Sequence, residues 1–180
     1  MIVQRDRPPS LSTRRRRGLR GSAILESALF VPIIFALFIG MEELARVTYN
    51  YYMIQKTLAG LARYLGTQQG VNFCNGADPI LTAAINNALT GTADASSAPV
   101  IAGLTPDMIQ VSIEQYNPAT QQLSPCACGA PGCDPSQGGT APGYISVSLA
   151  NGYTVRPLFW GFSINSFPLQ PSVTVPYGGT

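Results

Sequence analysis

The chain has no histidine. Without an imidazole there is no Ser-His-Asp or Cys-His nucleophile, no His-ligated zinc and no side chain that ordinarily titrates near neutrality to shuttle protons. Phosphate-cradling signatures are missing too, since neither Gly-x-x-x-x-Gly-Lys nor Gly-x-Gly-x-x-Gly occurs. Charge is scarce, at 11% Asp, Glu, Lys and Arg over 180 residues, and it is segregated. Seven of the eleven basic residues, Arg5, Arg7, Arg14, Arg15, Arg16, Arg17 and Arg20, precede Gly21. Beyond Arg46 only Lys56, Arg63 and Arg156 are basic, against Asp78, Asp94, Asp107, Glu114 and Asp134. A mildly acidic distal part offers no basic surface to a phosphate backbone, so nucleic acid is not expected as a partner. Asp107 and Glu114 could be paired as acid and base, but on a strand edge they read as solvated charges. The common routes to an enzyme are closed, and a non-enzymatic protein with no cofactor and no metal is expected.

What is present is a junction. Arg14-Arg15-Arg16-Arg17-Gly18-Leu19-Arg20-Gly21 leads into Ser22–Met41, twenty residues whose only charge is Glu26. As a helix they span about 30 Å, the thickness of a bilayer's hydrocarbon core. Arginines crowd the amino-terminal side, which places that end in the cytoplasm and the remainder outside. A secretory signal peptide is the alternative, but no Ala-x-Ala cleavage signature follows the run, which exits into Gly40-Met41-Glu42-Glu43. Ser12-Thr13-Arg14-Arg15 matches a twin-arginine signal only weakly. A retained anchor in membrane lipid fits better. Ionisable groups at membrane depth are costly and read as functional, which singles out Glu26. Pro32 removes one backbone hydrogen bond within the span and is expected to kink or loosen the helix.

The helical pattern continues past the span. Leu44, Val47, Tyr51, Ile54, Leu58, Leu61 and Leu65 recur at alternating spacings of three and four, an apolar heptad stripe. Gly66 and Gly70 supply the stop. One helix from about Ser22 to Gly66 would be about 70 Å long. The stripe fits packing against the chain's own carboxy-terminal domain, or a seam against copies of itself or related helices.

A small head follows. Asp78 to Thr90 reads as a short helix with Asp78 as N-cap and Pro79 in its first position. Met108–Tyr116 alternates, with Ile109, Val111 and Ile113 on one side, as does Tyr144–Leu149. Asn151-Gly152 offers a hairpin turn into Tyr153-Thr154-Val155, and Ser172–Val175 is a last strand. The expected fold is α+β: a long amino-terminal transmembrane helix extending into a small antiparallel β-sheet head, with a short helix and a disulfide-stapled loop. The expected organisation is a basic leader over 1–21, the membrane half of the helix over 22–41, its outer half over 42–67, and the head over 68–180.

Four cysteines bear on the head. Cys126, Cys128 and Cys133 lie in a Pro/Gly/Gln-rich stretch, 117–143, and Cys74 lies just beyond the long helix. Outside a membrane these point to two disulfides stapling a small core. Three connectivities are open. The preferred ones join Cys74 to Cys126 or Cys128 and the remaining one of those two to Cys133, so that one bond ties the loop to the helix end. A Cys-x-Cys-x4-Cys zinc site is the rival, with an unfamiliar spacing.

Taken in register, the Arg-rich leader, Gly21, Ser22-Ala23, Glu26, Pro32, then Gly40, Glu43, Arg46 and Tyr49, and later Ala62-Arg63-Tyr64, resemble the TadE-like family. Its members are minor pilins or pseudopilins of tight-adherence (Flp-type) pilus machines. The resemblance covers Arg17 to about Tyr64 and departs from the family at Ser27, where an aromatic residue is common. It implies a pilin-like fold, cleavage by a prepilin peptidase between Gly21 and Ser22, and an assembly contact at Glu26. It also implies partnership with other pilin or pseudopilin subunits and the pilus assembly machinery. The expected location is the bacterial inner membrane, single-pass, with a cytoplasmic amino terminus and a periplasmic head, or a pilus at the cell surface. A bitopic membrane-anchored binding or adhesion protein outside any filament is the competing expectation.

Overall fold

A computed structural model of the chain describes residues 20–129, 132–134, 138–155 and 168–179, with side-chain environments from Ile24 onward. The Arg14–Arg17 run therefore lies outside the described residues. The chain divides into two compact units, Met1–Glu42 and Glu43–Thr180, and helix α1, Arg20–Thr67, contributes to both.

In the first unit α1 is apolar on every side. Ile24, Leu25, Phe35, Leu37, Phe38 and Met41 are all more than 60% exposed, and the helix is long and apolar enough to cross a membrane. A helix satisfies its own backbone, which is what permits such a surface to sit in lipid. The helix continues through Pro32 without interruption. Ser27 turns its hydroxyl back to the carbonyl of Ile24, at 3.1 Å, so a polar side chain is satisfied locally.

The second unit is an α+β head. Helix α2, Pro79–Thr90, starts where the sequence places it: the Asp78 carboxylate accepts from the amides of Ile80 and Leu81 at 2.9 and 3.2 Å. It stops at Gly91, whose φ of +76° closes the last turn onto the carbonyl of Asn87. The strands are β1 (Ile109–Asn117), β2 (Gln122–Pro125), β3 (Tyr144–Leu149), β4 (Tyr153–Thr154), β5 (Pro168–Leu169) and β6 (Ser172–Pro176). β2, β1, β3 and β6 form one antiparallel sheet in that order, while β4 and β5 form a separate two-stranded ribbon. The register sets Val111 opposite Val147 and Val147 opposite Val173, so one face is a continuous aliphatic row.

That face shares a single buried cluster with α1 and α2. Ile54, Leu58, Leu61, Ala62 and Leu65 come from α1, Leu81, Ala84 and Leu89 from α2, and Ile109, Ile145, Val147 and Leu149 from the sheet. The apolar stripe of α1 thus divides. Its last four members are at most 2% exposed, whereas Leu44 is 67% and Tyr51 41% exposed and Val47 is only half-buried. Intramolecular packing accounts for the distal part of the stripe.

Close approach bears on Gly66 and Gly152, among other glycines. At Gly66 an added Cβ would lie 3.1 Å from the Pro176 carbonyl. That space lets the carboxy-terminal strand reach the end of α1, where the amide of Gly178 donates to the Gly66 carbonyl and the Tyr177 hydroxyl to that of Gln68. At Gly152 φ is +71° and a Cβ would meet Pro168 and Gln170 side-chain carbons at 2.9 Å. The hairpin expected from Asn151-Gly152 does not form. Both edges of β3 are taken by β1 and β6, so the turn sends β4 away to pair with β5, Tyr153 opposite Leu169.

Candidate functional site: the exposed helix and its exit residues

Gly21 and Ser22 lie in the first turn of α1, and their backbone is helical; their side-chain surroundings are outside the described residues. Glu26 follows one turn later and is exposed. Among the described residues its carboxylate has no hydrogen-bond or ion-pair partner. A carboxylate with that environment costs about 2.5–3.5 kcal/mol if carried to the middle of a bilayer. Any group that neutralises it therefore gains a substantial fraction of that amount. Pro32 lies within the same apolar stretch, and around Gly40 an added Cβ would meet nothing within 4 Å.

At the start of the second unit the surface changes character. Arg46 donates to Glu43 at 3.4 Å, one helical turn back, with the glutamate side chain 15% and the arginine 38% exposed. A half-exposed pair at this spacing contributes only about 0.3–0.5 kcal/mol, so its value is positional. Tyr49 points outward, 62% exposed. Arg46 and Asn50, four residues apart on one helix face, line a cleft of about 440 Å³ with Met108, Tyr153, Thr154 and Val155. The Tyr153 hydroxyl donates to the Ala102 carbonyl at 2.8 Å, which holds the ribbon against the loop before β1. Asn50 and Tyr153 were not singled out by the sequence. The i, i+4 relation to Arg46 was the available signal for Asn50, whereas Tyr153 arrives through a non-local strand pairing.

The cysteines are placed as disulfides, Cys74–Cys128 and Cys126–Cys133, with no free cysteine among the described residues. The first ties the loop after α1 to the segment after β2, and so realises one of the two preferred arrangements. Local structure explains the choice. Pairing of β1 with β2 ends with the amide of Cys126 donating to the Ile113 carbonyl at 2.9 Å, and the amide of Cys133 donates to Ala127 at 3.0 Å. These two bonds set Cys126 beside Cys133 and leave Cys128, which is exposed, to reach Cys74.

Among the described residues no group of three or more His, Cys, Asp or Glu comes together to hold a metal. Among the described residues the first unit offers the Glu26 carboxylate within the apolar stretch of α1, and the second unit, by itself, a polar group at Glu43, Arg46, Tyr49 and Asn50. Comparison of the chain with protein-family models, with curated proteins and with solved structures finds no match.

Proposed function

We propose that this chain is a structural subunit of the minor-pilin or pseudopilin type, processed after Gly21 and assembled into or with a tight-adherence (Flp-type) pilus. The observation that carries the reading is Glu26: the only charge between Ser22 and Met41, five residues beyond Gly21, its carboxylate exposed and without a partner among the described residues. The Arg14–Arg17 run holds the amino terminus on the cytoplasmic face. There a membrane prepilin peptidase cuts between Gly21 and Ser22, glycine allowing close approach to its backbone. Cleavage removes the arginine leader and frees the Ser22 ammonium. In the assembly the Glu26 carboxylate of one subunit neutralises the Ser22 ammonium of its neighbour, which favours a single register between helices because an unpaired charge at that depth is expensive. The head, beyond the membrane, is then the surface that the assembly displays, and its disulfides suit an oxidising compartment.

Two variants separate the two steps. Gly21→Ala is expected to accumulate as uncut precursor, heavier by the leader in intact-mass analysis of membranes from peptidase-containing cells; normal cutting refutes the processing site. Glu26→Ala is expected to be cut yet to be lost from isolated pili or from complexes captured with other pilin subunits; unchanged incorporation refutes the charge role. Amino-terminal sequencing of the wild-type chain discriminates the competing reading, since Ser22 at the terminus supports a processed pilin and an intact Met1 a plain bitopic anchor.

A further inference from the structure

The two disulfides interleave in sequence, joining the first cysteine to the third and the second to the fourth. Of the two rival arrangements, the one joining Cys74 to Cys126 and Cys128 to Cys133 closes rings that are each two residues shorter than the native ones. Loop-closure entropy varies slowly with length and separates this arrangement from the native one by less than about twofold. Before the head folds, Cys74 therefore captures either neighbour at nearly the same rate. Only the folded register of β2 on β1, with the Cys126 amide on Ile113 and the Cys133 amide on Ala127, distinguishes them.

A chain oxidised before that register forms has a further difficulty. All four cysteines are then consumed, and the chain has no other thiol. Disulfides rearrange only by attack of a thiolate, so a mispaired head cannot correct itself. We infer that a head oxidised before this register forms requires an external thiolate to reach its native pairing, and that the chain is then a client of a disulfide-isomerising dithiol in the compartment where the head is oxidised.

The exchange balances without net oxidation. The external thiolate attacks the Cys74 sulfur of the Cys74–Cys126 bond, forming a mixed disulfide and releasing the Cys126 thiolate. Cys126 attacks the Cys133 sulfur of the Cys128–Cys133 bond, forming the native Cys126–Cys133 bond and releasing the Cys128 thiolate. Cys128 then attacks Cys74 in the mixed disulfide, completing Cys74–Cys128 and returning the external thiolate. The product protects itself unevenly. Cys133 is only 2% exposed, which shields that sulfur from direct attack, whereas Cys126 and Cys74 stay half-exposed and Cys128 exposed.

The place of action rests on the proposed export of the head, but the chemistry does not, and the two fail separately. Alkylation of the cysteines in freshly lysed cells without prior reduction would refute export alone. For the chemistry, the full-length chain is reduced and unfolded in detergent and urea, oxidised there, and returned to native conditions with or without reduced glutathione. Pairings are read by fragmentation mass spectrometry, which separates Cys126 from Cys128. Without glutathione about half of the molecules or more are expected to keep Cys74–Cys126, since loop closure gives the native ring no advantage. With it they converge on Cys74–Cys128 and Cys126–Cys133. The Cys126→Ser/Cys133→Ser double variant, which has only one possible bond, is expected to need no glutathione. Recovery of native pairing at the same rate without glutathione, failure of glutathione to yield it, or glutathione dependence in the double variant would each overturn the inference.

Discussion

The two disulfides differ in the length of chain they close, and the difference is large enough to measure. Cys74–Cys128 spans 54 residues and Cys126–Cys133 spans 7. The loop-closure model assigns them about 4 and about 2.5 kcal/mol, because cross-linking removes more freedom from an unfolded chain when the loop is long. Comparing cysteine-to-alanine pairs with the wild type would mix this with packing, since Cys133 is buried and Cys128 exposed. Reduction within a fixed sequence avoids that. Cys126→Ala/Cys133→Ala retains only the long staple, and dithiothreitol should cost it about 4 kcal/mol of head stability. Cys74→Ala/Cys128→Ala retains only the short one and should lose about 2.5 kcal/mol. With a urea slope of about 2 kcal/mol/M, the long staple moves the unfolding midpoint by about 2 M and the short one by little more than 1 M. Pulse proteolysis of the full chain in detergent reads both midpoints without requiring α1 to unfold in its micelle. Equal losses on reduction, or a larger loss from the short staple, would refute the loop-closure account of what holds this head together.

Three further outcomes test the packing and polar arrangement. Leu58→Ala, at a position with no exposed area, is expected to cost the head about 2–5 kcal/mol in the same assay, whereas Leu44→Ala, 67% exposed, should stay within about 0.5 kcal/mol; similar effects would mean that the stripe is not divided as described. Asp78→Ala removes the acceptor for the Ile80 and Leu81 amides and for that of Asn72, and should cost about 1–2 kcal/mol, with Asp78→Asn recovering most of it; equal losses in the two would refute the capping role. The Ser96 hydroxyl and amide donate to Asp94 at 2.8 and 3.2 Å and hold its pKa below the ordinary 3.8. Because the folded value is the lower one, the associated stabilisation is present above about pH 4 and is lost as pH falls through the folded value. Ser96→Ala should raise the Asp94 pKa toward 3.8, read by carboxyl carbon-13 chemical shifts, and an unchanged titration would refute the assignment of cause.

Legibility followed the range of the determining interactions. Helix α2 was readable end to end because its start is fixed by Asp78 and Pro79 and its stop by Gly91, all within one segment. β1 and β3 announced themselves by alternation and β6 by a short run bounded by prolines, properties of each segment alone. β2 did not, since Gln122–Pro125 carries a single large apolar residue and takes its strand form from pairing with β1. The Asn151-Gly152 turn was correctly placed as a turn and wrongly joined as a hairpin, because occupancy of both β3 edges is settled by distant residues. The disulfides split in the same way: that Cys74 meets one of the Cys126/Cys128 pair was legible from the chain, but which one depends on the β1–β2 register. At the candidate site the apolar helix and the i, i+3 pair of Glu43 with Arg46 follow from local spacing. The Arg46 cleft needs Tyr153, which only the tertiary fold delivers.

Charge and shape at Glu26 can be separated by one substitution. Glu26→Gln keeps the length of the side chain and its hydrogen-bonding oxygen while removing the negative charge. On the proposed reading the neighbour's Ser22 ammonium then faces a neutral amide, and the charge-assisted bond, about twice as strong as a neutral one, is lost. Incorporation into pili should therefore fall at least tenfold, close to the loss in Glu26→Ala, although glutamine is the easier residue to carry into lipid. The opposing expectation is equally definite: if Glu26 serves only as a polar marker of helix depth, glutamine should substitute for it fully. Head stability acts as the control, because Glu26 is exposed and has no partner among the described residues. Both variants should show the wild-type unfolding midpoint. Full incorporation of Glu26→Gln would refute the ion pair while sparing the subunit assignment, and a lowered midpoint in either variant would show that Glu26 acts on the fold and not on assembly.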